Sequence, residues 1–237
     1  MFRNYGYCPC CNSTTEFVAQ QEWWRDHYVC SRCQCIPRER AIMYCLDKFV
    51  PAWKDQVVHE SSPGARGASV RLKKECSQYL PSQFFPGVLP GSDHLGNRCE
   101  DLEALTFADH SIDLHVTQDV FEHLFDPARA FQEIARTLRP GGAHIFTTPL
   151  VNKEQATQVC ARRGPGGEVE QLIHPPEYHG NPVSDQGSLV TVRWGYDIVR
   201  HIHQACGLFT EMIYLDSLEM GIRAEYIEVL ITRKPAA

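Results

Sequence analysis

The sequence predicts an α/β protein: a sheet covered on both faces by helices, with a small cysteine-rich module in front of it. Three observations predict this. Strand-like and helix-like patterns alternate from residue 56 to the C-terminal region. Six of the 11 cysteines fall within the first 35 residues. The composition, 43% hydrophobic and 22% charged over 237 residues, is that of a globular chain with room for one α/β domain and an accessory unit.

The cysteines come first. Cys8 and Cys11 are spaced C-x2-C, and so are Cys30 and Cys33. A C-x2-C turn aims two thiolates at one point, and two such turns complete a tetrahedron, so the four form a candidate structural zinc site. Cys10 and Cys35 are surplus, and either can replace a neighbour as ligand. Four thiolates close the coordination sphere, which makes the site a staple for a module too short to bury a core of its own. The module is drawn at residues 1–50, with Trp23, Trp24 and Tyr28 packing around the site or against the next domain. It carries six basic and five acidic residues, and Arg38 and Arg40 read as solvated surface arginines, with contact to a phosphate or carboxylate as the alternative. Cys45, Cys76, Cys99, Cys160 and Cys206 are scattered and read as small buried hydrophobes.

The second unit is drawn at 51–237. Gln56 to His59 is a short apolar strand, followed by a turn-rich loop from Glu60 to Gly67 and a helix from Ala68 to Cys76. A second strand begins at Tyr79 and runs toward Ser82 and Gln83. Ile112, Leu114 and Val116 alternate with Asp113 and His115, the period of a strand. Asp126 is an N-cap with Pro127 at the first helical position, and Ala130, Phe131, Ile134 and Leu138 mark the buried face. Arg139-Pro140-Gly141-Gly142 stops this helix, and Ala143 to Thr148 is the next strand. A further helix through Ile198, Val199, Ile202 and Cys206 closes at Gly207. Strands around Glu211–Leu215 and Tyr226–Thr232 complete the pattern.

The runs Glu100–Asp113, Gln118–Pro127 and Glu133–Gly142, with Thr147-Thr148-Pro149, together resemble the class I S-adenosylmethionine-dependent methyltransferases, of the type related to the small-molecule methyltransferases of ubiquinone synthesis. The resemblance is dense over 97–149 and looser over 56–96 and 196–234. It implies a Rossmann-like, seven-stranded, mostly parallel methyltransferase sheet whose last strand is antiparallel, with the cofactor across the C-terminal ends of its strands. It further implies that Asp101 meets the adenine amino group, that Leu102 lies against the base, and that Gln118 and Asp119 stand near the sulfonium. Two places depart from the family. The glycine-rich loop retains only Gly64 and Gly67, and Ser61 or Ser62 takes the cofactor carboxylate. Glu60 or His59 stands where the family has an acidic residue ending its first strand. The ribose carboxylate is replaced by Ser82 and Gln83, of which Gln83 accepts one hydroxyl.

Residues 151–195 lie between a strand and a helix and are dense in polar and aromatic side chains, among them Arg162, Arg163 and the run His174–Pro182. They read as a substrate lid. Within it His179 is the candidate general base and Tyr178 the residue that orients the acceptor. The expected reaction is methyl transfer to O or N of a small molecule or sugar-type metabolite, with S-adenosylmethionine as cofactor and zinc as structural metal. A net charge of −6 argues against nucleic acid as partner. Absence of a signal-like or spanning segment predicts a cytoplasmic protein without membrane contact. Two alternatives stay open: an RNA base methyltransferase whose zinc module contacts RNA, and a non-catalytic scaffold that kept the fold. The acceptor and the oligomeric state are not legible in the sequence.

Overall fold

The computed structural model describes residues 1–181 and 184–236. Pro182 and Val183, at the end of the proposed lid motif, lie outside the described residues. The chain opens with a three-stranded antiparallel sheet, β1 (Phe2–Cys8), β2 (Ser13–Ala19) and β3 (Tyr28–Cys30). The single helical turn Trp24–His27 precedes β3. Helix α1 (Pro37–Phe49) then starts on a proline at its first turn, and Glu39 reaches back to the Ile36 N–H at 3.0 Å.

The main sheet is built from β4 (Val57–Ser61), α2 (Gly67–Glu75), β5 (Gln78–Gln83), β6 (Asp93–His94), β7 (Asn97–Cys99), β8 (Ile112–Gln118), α3 (Pro127–Thr137), β9 (Leu138–Thr147), α4 (Ile198–Cys206), β10 (Phe209–Ile213) and β11 (Val229–Arg233). Its strand order is β10-β11-β9-β8-β4-β5-β7-β6. Strands β4, β5, β7, β8 and β9 pair in parallel, and β11 runs antiparallel between β9 and β10. Seven of these strands match the expected sheet, last strand antiparallel included. The eighth, β6, is a two-residue edge strand formed as the chain doubles back through Leu95-Gly96, a hairpin too short to leave a periodic signal.

Local signals act as expected at α3, where the Asp126 carboxylate accepts the Arg129 N–H at 3.0 Å, and at Gly207, which closes α4 with φ +74°. Strand β9 begins earlier than Ala143, because Leu138 already pairs with Ile112. The Arg139–Gly142 segment then bulges, with Gly141 at φ +80°, before regular pairing resumes at Ala143. Gly67, at φ +62°, begins α2 where the Glu39 side chain passes so close that no Cβ fits.

Both faces of the sheet are buried. One face joins Val58, Val116, Ile145 and Val229 to α1, α2 and the N-terminal module, in one continuous cluster that includes Phe17, Tyr28 and Trp53. The other packs Phe146 and Leu230 against α3, α4 and Trp194. On that second face the pleat also places three fully buried histidines in one cross-strand row, His59, His115 and His144. His59 and His115 share a hydrogen bond of 2.8 Å. Ser82 and Thr137 bond the two outer ring nitrogens at 2.7 and 2.9 Å, and Thr117 meets His144 at 3.1 Å.

Arg40 corrects the surface reading. It is fully buried, and its guanidinium donates to the carbonyls of Tyr28, Cys35 and Gly221. These bonds tie the module to the loop before β11, so the arginine satisfies backbone that the shared core has taken from water. Among the described residues, 151–195 form three short antiparallel strand pairs: two hairpins, Ala161–Arg163 with Val169–Gln171 and Tyr178–Asn181 with Ser184–Leu189, and the pair Gln158–Val159 with Val192–Arg193 that encloses them. Among the described residues no helix is long and apolar enough to cross a membrane.

Candidate active site

Parallel strands with covered faces leave a crevice at their C-terminal ends, where the chain reverses between strands β4 and β8. A cavity of about 1210 Å³ lies there. Its lining includes Ser61 at the end of β4 and Gly64 after it, Gln83 at the end of β5, Asp101 and Leu102 after β7, Gln118 at the end of β8 and Asp119 after it. These seven residues, chosen from the sequence for cofactor contact, therefore share one wall. The Asp101 carboxylate accepts the Glu103 N–H at 2.9 Å, which fixes the turn carrying Leu102.

Glu60 sits differently. It is buried and absent from the lining, and its carboxylate accepts from Ser69 and Tyr79 at 2.6 Å each and from Gln118 at 2.9 Å. Burial raises its pKa against those bonds. Its place is beneath the floor, where it orients Gln118 and Ser69, both of which do line the cavity.

Asp119 has φ +53°, rare for a residue with a side chain, and its carboxylate is already engaged. Oδ2 accepts from Arg25 at 2.7 Å and faces Arg38 at 3.0 Å, while Oδ1 accepts from Thr147 at 3.0 Å. Burial alone would raise its pKa, but the two guanidiniums hold it well below the usual carboxylate range. Both arginines come from the N-terminal module, which also supplies Trp23, Asp26 and Glu39 to the cavity wall. The sequence reading missed this contribution. No local pattern marks it, because it depends on packing between segments some ninety residues apart.

The insertion closes the other side, where Arg163, Glu177, His179, Gly180 and Ser188 line the cavity. Tyr178 is 56% exposed and does not line it, because neighbours on a strand point to opposite faces. His179 faces the buried Glu122 at 3.8 Å and Glu177 at 3.2 Å, and the Glu122 carboxylate raises its pKa.

In the module, the sulfur atoms of Cys8, Cys11, Cys30 and Cys33 all lie within 4.8 Å of one another. Cys8 and Cys33 are 3.8 Å apart, and Cys11 and Cys30 are 3.9 Å apart. A tetrahedron with zinc–sulfur bonds of ~2.3 Å has edges of ~3.8 Å, so the donor set fits zinc. Cys8, Cys10 and Cys35 form a second convergence, with Cys8 and Cys35 at 3.4 Å. Cys10 has a partner of its own, the Glu39 carbonyl at 3.3 Å, and burial pushes its thiol pKa up.

Residues 70–146 match the family described as "Methyltransferase domain". Malonyl-[acyl-carrier protein] O-methyltransferase of Methylococcus capsulatus is 42% identical over 66 residues, 28% of this chain and 24% of that protein. Dimethylglycine N-methyltransferase of Parasynechococcus marenigrum is 42% identical over 48 residues, 20% of this chain and 17% of that protein. The matched segments thus span less than a quarter of either relative. Among solved structures, an S-adenosylmethionine-dependent methyltransferase from Mesorhizobium loti superposes with a TM-score of 0.50 at 14% identity, covering 82% of this chain and 98% of that one. A complex of the Haloferax volcanii Trm112 methyltransferase activator with a methyltransferase gives 0.53 at 17% identity, covering 84% and 91%. At such identities the likeness is one of fold.

Proposed function

We infer that this chain, a class I S-adenosylmethionine-dependent methyltransferase by the fold of its sheet and the sequence of its central segment, transfers a methyl group from S-adenosylmethionine to an oxygen or nitrogen of a small molecule or sugar-type metabolite. The observation that carries the reading is the single cavity into which the ends of β4, β5 and β8 and the turn after β7 all open. In this reading Asp101 and Leu102 hold the adenine, Gln83 accepts from a ribose hydroxyl, and Ser61 with the loop through Gly64 takes the amino-acid tail. Gln118, oriented by Glu60, stands near the sulfonium. Asp119 acts through its charge and its strained turn, since protein donors already hold both of its oxygens.

The sulfonium carries its own driving force. The acceptor's lone pair attacks the methyl carbon, the sulfur–carbon bond breaks toward sulfur, and neutral S-adenosylhomocysteine leaves. Collinear placement supplies much of the rate. A hydroxyl acceptor must also lose a proton, and His179, beside Glu122 on the cavity wall, is the group placed to take it. Exposed Tyr178 has no part in it.

Zinc held by Cys8, Cys11, Cys30 and Cys33 would supply cross-linking that fixes the module, and with it Arg25 and Arg38, against the cavity. Calorimetry with S-adenosylhomocysteine, followed by transfer of labelled methyl to a panel of small acceptors and to RNA, tests the reading. Binding with transfer to a small acceptor is expected. Absence of binding refutes it, and transfer to RNA alone replaces the small-molecule assignment.

A further inference from the structure

Glu122, His123 and His179 bring one carboxylate oxygen and two imidazole nitrogens within 4.8 Å of one another at the insertion side of the cavity, and all three residues line it. The hydrogen bonds around them decide which atoms face inward. Nδ1 of His123 lies 2.9 Å from the Leu189 carbonyl, which can only accept, so Nδ1 carries the proton and Nε2 is bare. Nε2 of His179 lies 3.2 Å from a Glu177 carboxylate oxygen, so in the neutral ring Nε2 carries the proton and Nδ1 is bare. The two bare nitrogens are the ones that face Glu122 Oε1, at 3.7 and 3.8 Å.

Glu122 is itself 2% exposed. Its Oε2 accepts from Thr148 at 3.0 Å, while Oε1 is buried without a hydrogen-bond donor. Its backbone is pinned by Thr191 of the insertion, whose N–H and hydroxyl reach the Glu122 carbonyl at 2.8 and 3.1 Å. With both rings neutral, three lone pairs converge with nothing donating to them, an arrangement that a cation at its centre, or a proton on His179, would balance.

We propose that Glu122, His123 and His179 bind a divalent first-row transition cation, facing the acceptor end of the methyltransferase cavity. Two imidazoles and one carboxylate suit zinc, manganese, iron or cobalt rather than magnesium or calcium, and three protein ligands leave positions open. Bonds of ~2.1 Å set ligand atoms ~3.0–3.4 Å apart, so the 3.7 and 3.8 Å separations from Glu122 Oε1 need to close by a few tenths of an ångström, and the two ring nitrogens, within 4.8 Å of each other, by no more than ~1.8 Å. Each ligand already has the outer partner that metal sites use: a backbone carbonyl for His123, a carboxylate for His179, a hydroxyl for Glu122. The site's existence does not depend on the methyltransferase reading; its role does. With the cation bound, His179 is a ligand and gives up the role of base assigned to it above.

The test uses the full chain with its thiolate site loaded with zinc. Manganese(II) is titrated in and free ion is followed by electron paramagnetic resonance, since a harder cation does not displace zinc from four thiolates. One manganese per chain is expected, with zinc at the cysteines unchanged. His179→Ala and His123→Ala should abolish binding, and Glu177→Gln, which alters only an outer partner, should weaken it ~10–100-fold. S-adenosylhomocysteine calorimetry on each variant reports that the cavity is intact. A wild-type chain that binds S-adenosylhomocysteine but neither manganese nor a second zinc overturns the proposal and leaves the enzyme reading standing; a protonated His179 paired with Glu122 is then the occupant. Manganese binding that survives in both alanine variants also overturns it. Manganese binding lost in those variants, without cofactor binding by wild type, upholds the site and sinks the enzyme reading.

Discussion

Lowering the pH from 7 to 5 should cost this protein several kcal/mol through the histidine row on β4, β8 and β9. Burial pushes His59 and His144 down to about 3, and His115 is lowered for the same reason, with the neighbouring histidines adding to it. An unfolded histidine titrates near 6.5. The folded pKa is therefore depressed, so the stabilisation is fully present above ~6.5 and is lost as pH falls toward ~3. Between pH 7 and 5 a shift of this size removes about 2 kcal/mol per histidine, hence about 4 kcal/mol for His59 and His144 together. That is a large share of a typical domain's 5–15 kcal/mol. Urea denaturation at half-unit pH steps reads the loss directly. The control is His144→Gln, which should flatten the slope below pH 6 by about 1.4 kcal/mol per pH unit whatever it does to stability at pH 7. If wild type and variant lose stability in parallel, His144 takes up a proton as readily folded as unfolded and the reasoning fails.

Three further outcomes are expected. Asp119→Asn leaves Arg25 and Arg38 with only the half-exposed Asp26 as charge partner, a cost of about 2–3 kcal/mol, below that of a wholly unpaired buried charge, that should lower Tm by about 4–12 °C in calorimetry; a fall under ~2 °C would mean the pairs with Asp119 are idle. Cys30→Ser should reduce the zinc content, by atomic emission, from one per chain to a small fraction, whereas Cys206→Ser should leave it intact. Asp101→Ala should weaken S-adenosylhomocysteine binding ~10–100-fold, the value of one charge-assisted hydrogen bond, and unchanged affinity would remove Asp101 from the adenine site.

The regular parts of the fold were legible because their causes are local. Asp126 and Pro127 start α3, Gly207 ends α4, and alternation from Ile112 to Val116 marks β8. The cysteine spacing exposed a candidate metal site for the same reason: two short turns carry the whole geometry. That the residues proposed for cofactor contact gather at one cavity was legible through motifs tied to strand ends. What escaped depends on distant segments meeting. Arg40 reads as a surface residue until the loop at Gly221 arrives to accept its protons. Arg25 and Arg38 are ordinary charges until Asp119 is placed between them. Glu122 stood inside the most informative run of the sequence, yet its partner His179 lies in an insertion with no periodicity to fix its face. Tyr178 and His179 read from the sequence as two members of one site, orienting residue and base, and only strand geometry places them on opposite faces.

The cavity wall that Trp23, Arg25, Asp26, Arg38 and Glu39 provide changes what the first fifty residues are. A division at residue 50 reads naturally along the chain but would cut through the ligand chamber. A shortened protein beginning at Pro51 would keep the whole large sheet, yet one side of its reaction vessel would stand open to solvent and Asp119 would carry an unanswered charge. On the proposed reading the cysteine cluster is a hinge pin for the chamber's door frame, and stripping zinc from it should be felt first in the affinity for S-adenosylhomocysteine.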